Sequence, residues 1–509
     1  MSALEIVDLD DQLHAIIRLD AVLLKYFPAV NFRSFVPTIL ALGLIAPRLI
    51  AAERLPNIVV ILTDDQGYAD VGVYGAQGFV TPNLDQLARE GCRFTNFHVA
   101  QATCSPSRAA LLTGCYPNRL GINKAVGPHI SYGLNPAETT LAALLKSRGY
   151  ATGMAGKWHL GDNPAFLPPH YGFDESFGLP YSNDMWPYNP GAHGAYPPLP
   201  MIEDGKVIDP DITPEKQRKL TTWYTERAVA FIERNKDRPF FFYLAHAMPH
   251  VPLFVSDKFK GKSKQGLYGD VIMEIDWSVG EVMRALARNG LERDTIVMFL
   301  SDNGPWLSYG NHAGSAGPLR EGKGTSWEGG TRVPFILRWP GRVPAGATSD
   351  DFIVSIDLLP TIAKLTGASL PDRAIDGLDV WPLLARQPAA RNPHAGYGFW
   401  YRANELQSVV SGDGRWKLVL PHRYQTLAGH SGGRDGIPAK YLMANVERAL
   451  LYDLNQDIGE KHDLAAANPE VVARLLAFAE QCRDELGDSL TNRKGRGTRE
   501  PGRLATVKP

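Results

Sequence analysis

The chain has 509 residues, a formal net charge of −1, 44% hydrophobic and 21% charged residues. That length suits one large domain plus a smaller one, with enough apolar content for a sizeable core. The balanced charge supplies no global field for nucleic acid, and no basic repeat or RNA-binding motif appears, so any anion recognition has to be local.

Residues 1–52 form an N-terminal extension. Within it, Arg33, an apolar run from Phe35 to Ala46 and the small residues Ala51 and Ala52 resemble a secretory signal with its cleavage site. The run is too short for a stable membrane span. Its distance from Met1 points to a start downstream of residue 1. The expectation is an exported protein, periplasmic or secreted.

From residue 57 apolar runs alternate with helical patterns, which argues for an α/β fold with a largely parallel sheet. Asn57–Thr63, Ala151–Met154, Pro239–Tyr243 and Thr295–Leu300 read as strands. Asn83–Glu90, Ala137–Arg148, Thr221–Asn235 and Tyr268–Asn289 read as helices. The proline- and aromatic-rich stretch 164–200 reads as loop, and long loops are often functional. The catalytic domain is placed at 53–390. Short strand-like segments follow at Gly396–Tyr401, Leu406–Ser411, Trp416–Leu420 and Leu450–Leu454, then a helix at Pro469–Glu485. These predict a small α+β domain of antiparallel strands over 391–487. The basic, turn-rich tail 488–509 is expected to be disordered.

The four cysteines, at 92, 104, 115 and 482, include no C-x-x-C pair and are too few for a disulfide framework. A single bridge from Cys92 to Cys115 is conceivable, but no pattern supports it.

Several predicted strands end in polar residues. Asn57–Thr63 runs into Asp64 and Asp65, Ala151–Met154 into Lys157 and His159, Pro239–Tyr243 into His246 and His250, and Thr295–Leu300 into Asp302 and Asn303. Ligands of open α/β sheets bind beyond the carboxyl ends of strands, so these groups should converge on one crevice. Paired carboxylates repel unless a cation holds them ionised. An all-oxygen set from Asp64, Asp65, Asp302 and Asn303 suits calcium, and magnesium less well, because calcium tolerates irregular coordination. Arg108, Lys157, His159, His250 and Lys323 are donors for a tetrahedral anion. Singly, each of these groups reads as a turn, a cap or a surface charge; the case rests on their convergence.

Residues 104–114, Cys-Ser-Pro-Ser-Arg-Ala-Ala-Leu-Leu-Thr-Gly, resemble the sulfatase signature C-x-P-S-R followed by L-T-G. The resemblance extends over nearly the whole chain from residue 56. It includes Asp64-Asp65-Gln66-Gly67, Gly156-Lys157-Trp158-His159, Pro249-His250, Ser301-Asp302-Asn303-Gly304 and Gly322-Lys323-Gly324. Gly178 to Asp184 look most like the arylsulfatase A branch, with Asn183 where that branch often has histidine. The resemblance implies an alkaline-phosphatase-like fold: a large mixed sheet flanked by helices, with a small C-terminal antiparallel sheet. It implies metal ligands Asp64, Asp65, Asp302 and Asn303 plus Cys104, oxidised by a formylglycine-generating maturase to Cα-formylglycine. It implies that Arg108, Lys157, His159, Ser182, His250 and Lys323 hold the formylglycine or the sulfate.

The expected chemistry is covalent. One hydroxyl of the hydrated aldehyde attacks sulfur, a sulfated hemiacetal forms, and the second hydroxyl, losing its proton to His159, expels sulfate. Lys323 or His250 protonates the leaving alcohol. The substrate is a sulfated small molecule or glycan. A carbohydrate is favoured because Trp186, Tyr188, His193 and Tyr196 in the 181–196 loop, with Trp306 and His312, offer aromatic faces with polar edges. Two alternatives remain open at this point: a phosphate or phosphonate monoester hydrolase of the same superfamily, and a secreted glycan-binding protein without catalysis.

Overall fold

The computed structural model describes residues 54–191 and 194–504. The N-terminal extension, on which the expected export signal falls, therefore lies outside the described residues. Ten strands form the large sheet: β1 (Asn57–Thr63), β2 (Cys92–Phe94), β3 (Ala151–Lys157), β4 (Glu175–Leu179), β5 (Met201–Glu203), β6 (Lys206–Asp209), β7 (Phe240–Ala245), β8 (Thr295–Ser301), β9 (Phe335–Arg338) and β10 (Ala347–Ser349). Their spatial order is β10-β2-β9-β8-β1-β7-β3-β4-β5-β6. The five central strands, β8, β1, β7, β3 and β4, run parallel. Antiparallel pairing enters on either side, at β9 and at β5, so the sheet is mixed, as expected.

β1 is buried at every position. A run of isoleucine, valine and leucine without alternation is what a strand covered on both faces requires. Ile58, Val60 and Leu62 pack on one side with α2 (Cys104–Thr113), α3 (Leu141–Lys146) and α6 (Leu358–Thr366). Val59 and Ile61 pack on the other with α1 (Pro82–Glu90), α4 (Leu220–Arg234) and α5 (Leu267–Arg288). The parallel register sets Thr63 beside Ser301, Leu62 beside Ala245, and Gly156 beside Ala245. Four chains thus leave the sheet at the same edge.

Three local expectations need correction. The helix read over 137–148 is confined to α3, because the Thr140 hydroxyl accepts from the Ala143 amide at 3.1 Å and caps it there. The stretch 164–200 is not all loop. It contains β4, whose Gly178 is needed because a Cβ there would lie 1.8 Å from the Gly156 carbonyl oxygen. The tail is not disordered through residue 504: Gly502–Arg503 pairs antiparallel with Tyr132–Gly133, and Asp488 is fully buried.

The C-terminal sheet comprises β11 (Gly396–Tyr401), β12 (Glu405–Ser411), β13 (Trp416–Val419) and β14 (Leu450–Asp453), antiparallel throughout. Helix α7 (Pro469–Leu486) packs Leu475 and Ala479 onto it, and the same core takes in Ala110 of α2. Every residue of α2 is consequently buried. All four cysteines are free thiols, so the Cys92–Cys115 bridge is absent.

Candidate active site

β1 delivers Asp64 and Asp65 to the sheet edge, and β8 delivers Asp302 and Asn303. Asp65 has φ 65°, a conformation that aspartate tolerates better than most residues. Its amide donates to Asp302 Oδ1 at 3.2 Å, and its Oδ1 accepts from Asn303 Nδ2 at 2.7 Å. The Asp64–Asp65 and Asp302–Asn303 pairs are thereby locked together across adjacent strands.

Cys104 opens α2, directly after the extended Thr103, so the free amides of the first turn lie at its position. Arg108, one turn on, is completely buried. Its Nε and Nη2 each lie 2.9 Å from Asp302 Oδ2, its Nη1 donates to the Lys157 carbonyl at 2.7 Å, and Nη2 lies 3.4 Å from Asp64. One guanidinium therefore ties β8, β3 and β1 to the helix. Lys157, the last residue of β3, reaches Asp64 Oδ2 at 2.5 Å and the Ser182 hydroxyl at 3.0 Å. Lys323 reaches Asp65 Oδ1 at 2.7 Å and lies 4.3 Å from the Trp306 ring centroid. The His250 Nδ1 bonds the Val251 carbonyl at 2.6 Å, which turns Nε2 toward Asp65 Oδ2 at 3.5 Å. His159 is fully buried, and neither ring nitrogen has a partner.

Three carboxylates face three permanent cations, all buried. Burial opposes ionisation of Asp64, but Lys157, His250 and Arg108 outweigh it and hold the carboxyl far below its ordinary value. Asp302 goes the other way: burial and the Asp64 charge raise it, against the pull of Arg108. For Lys323, burial works against the charge, yet Asp65 and Cys104 more than restore it, and its pKa is raised. Burial, then Lys157 and Arg108, push His159 well below its usual value and keep it neutral. Burial raises the Cys104 thiol despite Lys157 and Lys323.

Whether these residues fit a cation can be tested on their free atoms. Asp64 Oδ1 and Asn303 Oδ1 are buried without a hydrogen-bond partner, and ligand atoms of Asp64, Asp65 and His250 lie within 4.8 Å of one another. Orphaned oxygens beside crowded carboxylates are costly unless a hard cation takes them up. The donor set fits calcium or magnesium.

The eleven residues implied by the family resemblance, from Asp64 to Lys323, meet in this cluster, and Trp306 stands at its side. His246 does not join it; its Nε2 lies 3.2 Å from the Ser278 hydroxyl. Trp186 is 1% exposed and donates from Nε1 to the Ile212 carbonyl, so it packs the loop and presents no face to a sugar. His193 lies outside the described residues. Asn183 is buried and donates to the Pro252 carbonyl at 3.1 Å. Gln425 and Tyr401 carry no motif that would mark them from sequence. Gln425 donates to the Lys323 carbonyl at 3.1 Å, and Tyr401 Oη would lie 2.9 Å from a Cβ at Gly324. Both come from the C-terminal region, a hundred residues or so from the loop they support, where no local motif could have marked them.

Residues 56–368 match the sulfatase family model, and residues 322–426 match that of the N-sulphoglucosamine sulphohydrolase C-terminal region. The chain is 40% identical to human (Homo sapiens) arylsulfatase A over 457 residues, covering 84% of this chain and 87% of that protein. It is 37% identical to N-acetylgalactosamine-6-sulfatase of Mus musculus, covering 84% and 85%. Among solved structures, a sulfatase from Pseudoalteromonas sp. superposes with a TM-score of 0.76 at 27% identity, covering 84% of this chain and 90% of that one. The signature at Cys104, the mixed sheet with its small C-terminal partner and these likenesses agree: this chain belongs to the sulfatase family and is a sulfuric ester hydrolase.

Proposed function

We propose that the enzyme hydrolyses a sulfate ester on a carbohydrate, with Cys104 as the precursor of formylglycine and calcium bound by Asp64, Asp65, Asp302 and Asn303 beside it. The observation that carries this reading is the position of Cys104. It lies at a helix N-terminus, among Lys157, Lys323, Asp64 and Asp302, with two orphaned oxygens waiting for a cation. The carbohydrate part draws support from the similarity to a hexosamine sulfatase.

A cation in this cluster supplies charge neutralisation for the sulfate oxygens, and a hydrated formylglycine supplies one hydroxyl to attack sulfur and a second to release sulfate. The remaining work falls to side chains. Lys157, Lys323 and His250 bind and orient the sulfate, and Ser182 fixes the Lys157 ammonium. Arg108 braces Asp302 through Nε and the Lys157 carbonyl through Nη1, while its buried Nη2, which has no hydrogen-bond partner, is left to hold the formylglycine or the sulfate. Neutral His159, with both nitrogens free, accepts a proton. Lys323 or His250 donates one to the leaving alcohol. A maturase is required for Cys104, and residues 1–52 are assigned to export.

The test is turnover of an aryl sulfate, an aryl phosphate, a steroid sulfate and defined sulfated sugars by matured enzyme. Peptide mass analysis at residue 104 accompanies it. We expect an aldehyde at 104 and the highest kcat/KM on a sulfated sugar. A thiol at 104 in active enzyme would reject formylglycine, and a preference for phosphate or steroid would reject the substrate class.

A further inference from the structure

Beside the catalytic cluster runs a second, open cleft of about 500 Å³, with Lys124, Tyr132, Arg402 and Arg503 in its wall. It continues into a neighbouring cavity of about 520 Å³ whose wall adds Lys494. The charge is one-sided. The one carboxylate lining either part, among the described residues, is Glu500, which Arg503 meets at 3.5 Å with both side chains largely exposed. Lys124 and Lys494 are exposed and form no ion pair with any described residue. Arg402 has a Met443 sulfur, 3.6 Å away, as its partner. Arg493 and Arg499 of the same wall are committed to Glu480, Asp484 and Glu138, so the cations without a carboxylate partner among the described residues are Lys124, Arg402 and Lys494, grouped around one concavity.

Two further observations point to a ligand. The Tyr132 hydroxyl is buried without a hydrogen-bond partner in the wall of the cleft. Arg503 is the register partner of Tyr132 in the antiparallel pairing of Gly502–Arg503 with Tyr132–Gly133, which sets the two residues side by side. The Arg503 guanidinium, largely exposed in the same wall, is a donor for an anionic oxygen. Short hydrogen-bond and chain links join the cleft to the active site. The Asn123 carbonyl accepts from Gln101 Nε2 at 3.4 Å, and the Val126 amide donates to the hydroxyl of Ser105, next to Cys104. Tyr401, beside Lys323, directly precedes Arg402.

We propose that this cleft is a subsite for a second anionic group, a sulfate or a carboxylate, carried on the same glycan whose sulfate ester occupies the active site. The proposal rests on the carbohydrate reading above and narrows it to polyanionic oligosaccharides. The catalytic cluster spends its cations on its own carboxylates and one sulfate, whereas Lys124, Arg402 and Lys494 in the cleft have no carboxylate partner among the described residues. Such contacts remote from the reacting atom contribute binding energy that a small aryl sulfate cannot use.

The test compares the full-length matured enzyme with the triple variant Lys124→Gln, Lys494→Gln, Arg503→Gln. The affinity of each for a short dextran sulfate oligosaccharide is measured by its inhibition of aryl sulfate turnover at two salt concentrations. A polyuronate oligosaccharide of equal length separates sulfate from carboxylate. Removing three exposed cations should weaken inhibition about tenfold at low salt and flatten its salt dependence. Aryl sulfate kcat/KM serves as the control for an intact active site. Equal inhibition of both enzymes by both oligosaccharides would overturn the subsite, as would a parallel loss of aryl sulfate turnover. Whether the wild type desulfates any sugar is read separately, so failure of the carbohydrate reading and failure of the subsite give different results.

Discussion

Asp64 and Asn303 each keep one buried oxygen without a partner. Desolvating such an oxygen unpaired costs about 1–3 kcal/mol. A cation removes that cost, so its binding should stabilise the fold. Calcium at a hundredfold excess over its Kd is expected to add about 2.7 kcal/mol, read as a rise in Tm over chelated enzyme. Asn303→Ala deletes an oxygen ligand and no charge, so it should shrink that rise and lower turnover while the protein still folds. An undiminished calcium response in Asn303→Ala would remove Asn303 from the ligand set. At this scale the sequence was informative where chemistry and position coincide: an acid at the end of an apolar strand can be read directly, as at Asp64 and Asp302. Cys104 was recognisable only through the family signature, and Lys323 only as a donor with no position attached, since neither follows a strand. Trp186 was misread because loop composition cannot distinguish an aromatic that packs inward from one that faces solvent.

β1 and β8 could be read because unbroken apolar runs fit only a strand covered on both faces. β3 was read too short, ending at Met154 ahead of Gly156, which looks like a breaker. A Cβ at Gly156 would in fact lie 1.7 Å from the Ala245 carbonyl oxygen, so close strand approach requires the glycine. β13 misleads in another way. Its lysine, in Trp-Lys-Leu-Val, reads as an outward residue, yet Lys417 is wholly buried. Its ammonium lies 2.9 Å from Glu328 and 2.9 Å from Glu460, and the Glu328 amide donates to Glu460 at 2.8 Å. Glu328 belongs to the loop that carries Lys323, and the Gly330 carbonyl accepts from the Gly304 amide beside Asn303. The small sheet thus clamps a catalytic loop through a buried ion network. Lys417→Met leaves two buried glutamates without their shared cation, which should cost about 3–5 kcal/mol and show as a lower urea midpoint. Adding Glu460→Gln should recover part of the loss. A midpoint unchanged in Lys417→Met would mean that the network contributes no stability.

Across the whole molecule, the C-terminal segment is where composition was least informative. The stretch Arg493–Arg503 is basic and turn-rich, which is the profile of a disordered tail. Each of several arginines instead meets a group far away in sequence. Arg499 reaches Glu138 at 2.7 Å and the Ala374 carbonyl at 2.8 Å, and its own amide donates to the Arg119 carbonyl at 2.7 Å. Arg119 in turn donates to the Gly497 carbonyl at 2.9 Å. Asp488, fully buried, accepts from Arg483 Nε at 2.9 Å and from the Leu406 amide at 3.2 Å. The tail therefore stitches α7 and β12 to the 119–138 region of the large domain, and no local window can show a partner more than three hundred residues away. Deleting residues 488–509 removes these bonds together and uncovers polar groups that they satisfy. At about 1 kcal/mol for each net hydrogen bond, the loss should reach roughly 3–5 kcal/mol. Deleting only 505–509 removes none of the named contacts. Urea denaturation and limited proteolysis should separate the two: the shorter deletion behaves as wild type, while the longer one unfolds at lower urea and is cleaved near residues 119–138. Equal stability of both would show that the ordered tail is held by the body of the protein without supporting it.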